Sequence, residues 1–272
     1  MREYFKKHPV VAILYVFVMD LVLSVLLSYL GHVLGYSNGT SNEAYFIREI
    51  IVKVLPISFI AFSVGTLDSF KSPFKNLGKS LLSGIVILAI YIVGSVAMIM
   101  VCIQDGFKFK TPSEIVFYVL FLLMVGLSEE LLMRGTLTRL LAEKFGKEGK
   151  GMWLTVLIGA LLFGLYHLLN YRSTHNIKAV LLQVIGTSMM GMFLCAIYVK
   201  WGNLLGVIVL HTTHNFMVLS EQGLIEGKSI ADRPSGPQGN LKQTLISNSI
   251  FVIAAIFVMI HKKKTVDRGN LS

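Results

Sequence analysis

The chain has 272 residues, of which 54% are hydrophobic and only 15% charged, with a mean hydropathy of +0.69. That balance excludes a soluble domain of this size and reads as an all-α, polytopic membrane protein. The formal charge of +10 is spread over short loops and termini, with no basic soluble stretch carrying aromatic residues, which argues against a nucleic-acid partner and for lysines and arginines that set orientation in a bilayer.

Residues 1–272 read as one integral membrane domain. A span needs about 20 apolar residues to cross roughly 30 Å of hydrocarbon. Eight such windows can be laid along the sequence, approximately 9–30, 49–67, 80–103, 113–137, 151–169, 177–199, 203–220 and 246–261. The first is too long for a secretory signal and has no clear small-residue cleavage site, so it reads as a retained span. The fourth is expected to continue as an amphipathic helix to Phe145. After it, the glycine-rich stretch from Gly146 to Gly151 is a hinge that lets the fourth and fifth helices run antiparallel. Segments 36–42 and 233–240 are rich in turn formers and read as solvated loops. Cys102 and Cys195 fall in apolar runs, which leaves no support for a disulfide framework or a four-cysteine zinc site. With both termini in the cytoplasm, lysine and arginine on that side outnumber those opposite by about two to one. Lys71, Lys75 and Lys79 then share a side with Lys200 and with Lys262, Lys263 and Lys264, and the lysine-rich, compact chain suggests a bacterial plasma membrane.

Charges inside these windows are costly in lipid and need a reason. The fourth window holds Glu129, Glu130 and Arg134. On a helix Glu130 and Arg134 are four apart and can pair, whereas Glu129 is about 100° round and is left free. Phe163 and His167 share a face of the fifth window, and His211 and Asn215 a face of the seventh, by the same spacing. Asp20 and Lys53 are further buried charges, which can pair with each other or tune a cavity. His214 is a neighbour of the His211 pair, while His8, His32, His175 and His261 read as surface residues.

Glu129-Glu130-(three residues)-Arg134, Phe163-(three)-His167 and His211-(three)-Asn215, in that order and on separate spans, resemble the motifs of the CAAX-processing and bacteriocin-processing (CPBP, or Abi) family of intramembrane endopeptidases. Gly135 after the arginine also looks like the family, and Met133 stands where relatives often have an aromatic residue. The resemblance covers about residues 113–220, which would be the catalytic core. It implies proteolysis inside the membrane. Relatives remove the last three residues of prenylated CAAX proteins or accompany bacteriocin and peptide systems, so the implied partners are a membrane-associated peptide or protein substrate and the bilayer.

The residues suit that chemistry on their own terms. Peptide hydrolysis needs an activated water, a stabilised oxyanion and a proton for the leaving amine. Glu129 is the expected base, with His167 orienting the water and His211 and Asn215 donating to the oxyanion; Glu130, Arg134 and Phe163 hold the arrangement. A zinc version would use Glu129, His167 and His211 as ligands. The chain has no H-E-x-x-H helix, so the metal-free version is favoured and no cofactor is expected. Two other classes are a non-catalytic immunity or partner-binding protein that keeps the constellation, and a proton-coupled transporter. Counted along straight spans, His167 lies about 24 Å deep and His211 about 12 Å, so a shared site requires irregular helices or a water-filled cavity.

Overall fold

The computed structural model describes residues 2–33, 39, 41–230 and 239–261. Among these the chain is helical with no strand; one antiparallel bridge joins Phe109 to Ile225. A short helix α1 (Arg2–Lys7) leads into α2 (Pro9–Val33). Helix α3 (Asn42–Glu49) passes through a π-helical turn at Ile50–Val54 into α4 (Leu55–Val64), and α5 (Leu77–Ser83) turns at Gly84 into α6 (Ile85–Gln104). Next come α7 (Pro112–Glu130), a π-helical stretch at Leu131–Thr138 and α8 (Arg139–Phe145). Helix α9 (Gly149–Tyr166) tightens into a 3-10 turn at His167–Asn170, followed by α10 (Tyr171–Thr174), α11 (Ile177–Trp201), α12 (Leu204–Leu224) and α13 (Leu241–Ile260).

Six helical runs are long and apolar enough to cross a membrane: Pro9–Val33, Ile85–Gln104, Pro112–Phe145, Gly149–Asn170, Ile177–Trp201 and Leu241–Ile260. The chain is an integral membrane protein. Two of the eight expected spans are not among the six, and each for a physical reason. Residues 42–64 are helical, but Glu43, Arg48, Glu49 and Lys53 crowd the run and a π turn interrupts it. Helix α12 is long enough, but His211, Thr212, Thr213, His214 and Asn215 replace its apolar surface over more than a turn. The fourth span does run on to Phe145 as expected. The expected loop at 36–42 is described only at 39, 41 and 42, and that at 233–240 only at 239 and 240. Lys262, Lys263, Lys264 and Arg268 lie outside the described residues.

Local sequence explains the ends. Thr111 and Glu114 form a capping box with Pro112 in the first turn of α7. Asn203 caps α12 through the Gly206 amide (2.6 Å), and its own amide donates to Pro73 O (2.6 Å) and Lys75 O (2.8 Å), which ties the start of α12 to the loop before α5. Between α11 and α12 the backbone reverses at Gly202, whose φ of 64° suits a residue without a side chain. Helix α11 packs between α9 and α13, and α12 lies against α7 and α6. The main apolar core runs through these helices and includes Leu131, Leu132, Met133, Phe163, Phe193 and Leu210.

Lysines assigned to one side by sequence gather at one end. Lys200 Nζ donates to Val258 O (2.6 Å) and His261 O (2.7 Å), Lys79 Nζ lies 5.6 Å from the Trp201 ring, and Asn76 donates to Trp201 O (3.0 Å).

Candidate active site

The site forms where α7 meets α12. Helix α7 approaches α12 closely because position 126 is glycine; a Cβ there would collide with Thr212 Oγ1. One turn further, Glu129 and Glu130 end the regular helix and the backbone widens into the buried π stretch Leu131–Thr138. Such π segments are rare and concentrate at functional sites.

Glu130 is completely buried and its Oε1 accepts two hydrogen bonds: from Arg134 Nη1 (2.9 Å) and from His211 Nδ1 (2.7 Å). Arg134, also fully buried, donates from Nη2 to Gly191 O on α11 (3.2 Å), and its guanidinium lies 4.4 Å from the centre of the Phe163 ring. The charge is thus met by a carboxylate, a carbonyl and an aromatic face, while Arg134 Nε and Glu130 Oε2 make no hydrogen bond among the described residues. This chain links α7, its π extension, α9, α11 and α12.

His211 has an acid on each side. Its Nδ1 is held by Glu130, and its Nε2 stands 3.8 Å from Glu129 Oε2. Glu129 and its neighbour therefore reach the same imidazole from two sides. Its side chain keeps 22% exposure while that of Glu130 has none. A carboxylate beside an arginine only accepts, so His211 Nδ1 is the donor and carries a proton. That leaves Nε2 as the ring nitrogen turned toward Glu129.

His167 opens the 3-10 turn after α9, and its Nδ1 donates to Phe163 O (2.9 Å). The His167 ring stands edge-on to Phe163 at 5.0 Å between centroids, and the His211 ring stands edge-on to the same ring at 5.8 Å. Both imidazoles thus meet one phenyl group, so the depth difference counted along straight spans does not hold. The structure joins Glu129, Glu130, Arg134, Phe163, His167 and His211 by these contacts. Asn215 lies one turn beyond His211 on α12, half-buried, and its side chain has no hydrogen bond among the described residues. His214 faces away, between Tyr91 (5.0 Å) and Phe251 (6.1 Å).

Asp20 and Lys53 do pair, at 3.6 Å, and a residue the sequence did not single out lies between them. Tyr166 donates its hydroxyl to Asp20 Oδ2 (2.9 Å) and accepts from Lys53 Nζ (2.8 Å). Its place immediately before His167 was the only signal available. Ser128, directly before the two glutamates, donates to Glu49 Oε1 on α3 (2.9 Å), another polar contact with no sequence mark.

Among the described residues, no three His, Cys, Asp or Glu side chains group as a metal would require. Nothing matches among curated proteins or among solved structures. A family model described as "Type II CAAX prenyl endopeptidase Rce1-like" matches residues 111–217, which contain Glu129, Glu130, Arg134, Phe163, His167, His211 and Asn215. Over this stretch the chain is similar to that family, in line with the CAAX-processing and bacteriocin-processing motifs it carries.

Proposed function

We propose that the protein is an intramembrane endopeptidase of CAAX type, hydrolysing a peptide bond of a membrane-associated peptide or protein with a water activated by Glu129. The observation that carries this reading is the run Glu129, His211, Glu130, Arg134, in which one imidazole is fixed by a dry carboxylate and faces a second, partly exposed one. Both termini are taken as cytoplasmic.

Glu129 accepts a proton from water as its oxygen attacks the substrate carbonyl carbon. His211, oriented by Glu130, accepts the water's second hydrogen at Nε2 and fixes the direction of attack. The Asn215 amide donates to the oxyanion. When the C–N bond breaks, Glu129 returns its proton to the leaving amine. Arg134 keeps Glu130 ionised and in register without touching the substrate. No metal takes part in this scheme, and activity is expected to survive a strong chelator.

The test is direct. Purified protein in proteoliposomes is given a farnesylated peptide ending in a CAAX sequence, in water enriched in oxygen-18. The expected result is release of the terminal tripeptide, with the label in the new carboxylate of the shortened peptide. No release from any prenylated or unprenylated peptide would leave the partner-binding reading in its place.

A further inference from the structure

The scheme above leaves unused the end of the bundle where α6 begins and α11 and α13 finish. A groove of about 560 Å³ opens there between the three helices. Its walls are apolar and face outward: Ile85 is 50% exposed, Ile253 65% and Phe257 59%. Its rim is basic, with Lys79, Lys200 and His261 around Trp201, and no carboxylate among the described residues lines it. Lys79 and Lys200 place their ammonium groups 5.6 Å and 5.3 Å from the Trp201 ring. Two carbonyls hold Lys200 in place, so its charge is fixed at the rim. Lys79 makes no ion pair among the described residues. In sequence, Lys262, Lys263 and Lys264 follow directly after His261.

Three span ends mark this level as the edge of the hydrocarbon, where tryptophan and lysine sit at the headgroups. Concentrated positive charge directly above an outward apolar groove matches one amphiphile, a lipid with an anionic head. Its chain would cover the isoleucines, and its phosphate would meet the ammonium groups and the amino end of α6. An acidic peptide would meet the charge but would leave its backbone unsatisfied against these walls. We propose that the groove between α6, α11 and α13 is a binding site for an anionic phospholipid, with Lys79 holding the phosphate and Lys200 adding its fixed charge beside it. The site is separate from Glu129 and does not depend on the peptidase reading.

The experiment uses the full chain, delipidated in neutral detergent. Retention of phosphatidylglycerol and phosphatidylcholine is compared by native mass spectrometry, and thermal unfolding is followed with each lipid and with glycerol phosphate. Wild type should keep phosphatidylglycerol preferentially and unfold at higher temperature with it. Lys79→Gln should lower the preference about fivefold, the effect of roughly 1 kcal/mol per lysine at an anionic headgroup. Lys79→Arg should restore it, and Lys108→Gln, at an exposed lysine beyond the far end of α6, should not change it. Equal retention of the two lipids, an unchanged preference in Lys79→Gln, or equal protection by glycerol phosphate would each overturn the proposal.

Discussion

Among the described residues, Glu130 and Asp20 are buried carboxylates that each pair with an arginine or lysine, and the two pairs are built differently. Glu130 and Arg134 are both fully enclosed, sit four residues apart on one helix, and meet at 2.9 Å. Asp20 and Lys53 come from different helices, meet at 3.6 Å across Tyr166, and leave the Lys53 side chain 28% exposed. In the first pair neither charge can turn to water if its partner is lost, and each touches a further ring of the candidate site, His211 or Phe163. In the second, the lysine has a flexible stem and a way out. The contrast is between a pair whose geometry is fixed for a neighbouring ring and one that fastens α2 to the bundle.

Breaking each pair measures that difference. Glu130→Gln leaves Arg134 charged in a dry site and should cost about 3–5 kcal/mol of stability, the usual penalty for an uncompensated buried charge. It would be read as a fall in melting temperature and yield. Replacing both residues, Glu130→Leu with Arg134→Leu, should recover much of that loss while leaving activity abolished, because His211 Nδ1 then has no acceptor. If the double variant were as active as wild type, Glu130 would not be orienting His211. Phe163→Leu removes the aromatic face from Arg134 and the edge contacts to both imidazoles, and should cost about 2 kcal/mol. Lys53→Met should be the mildest, near 1 kcal/mol in the same melting assay, since Asp20 keeps the Tyr166 and Ser24 hydroxyls as donors. A larger loss from Lys53→Met than from Glu130→Gln would reverse the assignment of the two pairs.

What the sequence disclosed follows the same division. Glu130 and Arg134 are four apart, and helical spacing alone predicts their contact. The company of Glu129 with a histidine was legible, because a free carboxylate in an apolar run needs a polar partner; the π stretch at Leu131–Thr138 was not, because such a stretch has no composition of its own. Asp20 and Lys53 could be named as partners because each is costly alone in an apolar run. Tyr166 could not, since its two contacts come from helices 146 and 113 residues away. The windows 49–67 and 203–220 looked like ordinary spans because apolar residues outnumber the polar ones. Helical placement shows those polar residues concentrated at Glu49 and Lys53, and from His211 to Asn215, close to where function is proposed.

The central claim is that Glu129 activates the water while Glu130 holds His211, and Glu129→Gln tests it most directly. The amide keeps the size and hydrogen bonding of the carboxylate at a position that is still 22% exposed, so the variant should fold and melt like wild type. Its rate of tripeptide release from the farnesylated CAAX peptide should fall at least as far as that of Asn215→Ala, about a hundredfold, the cost of losing one oxyanion donor. Wild-type cleavage by a normally folded Glu129→Gln protein would contradict the account.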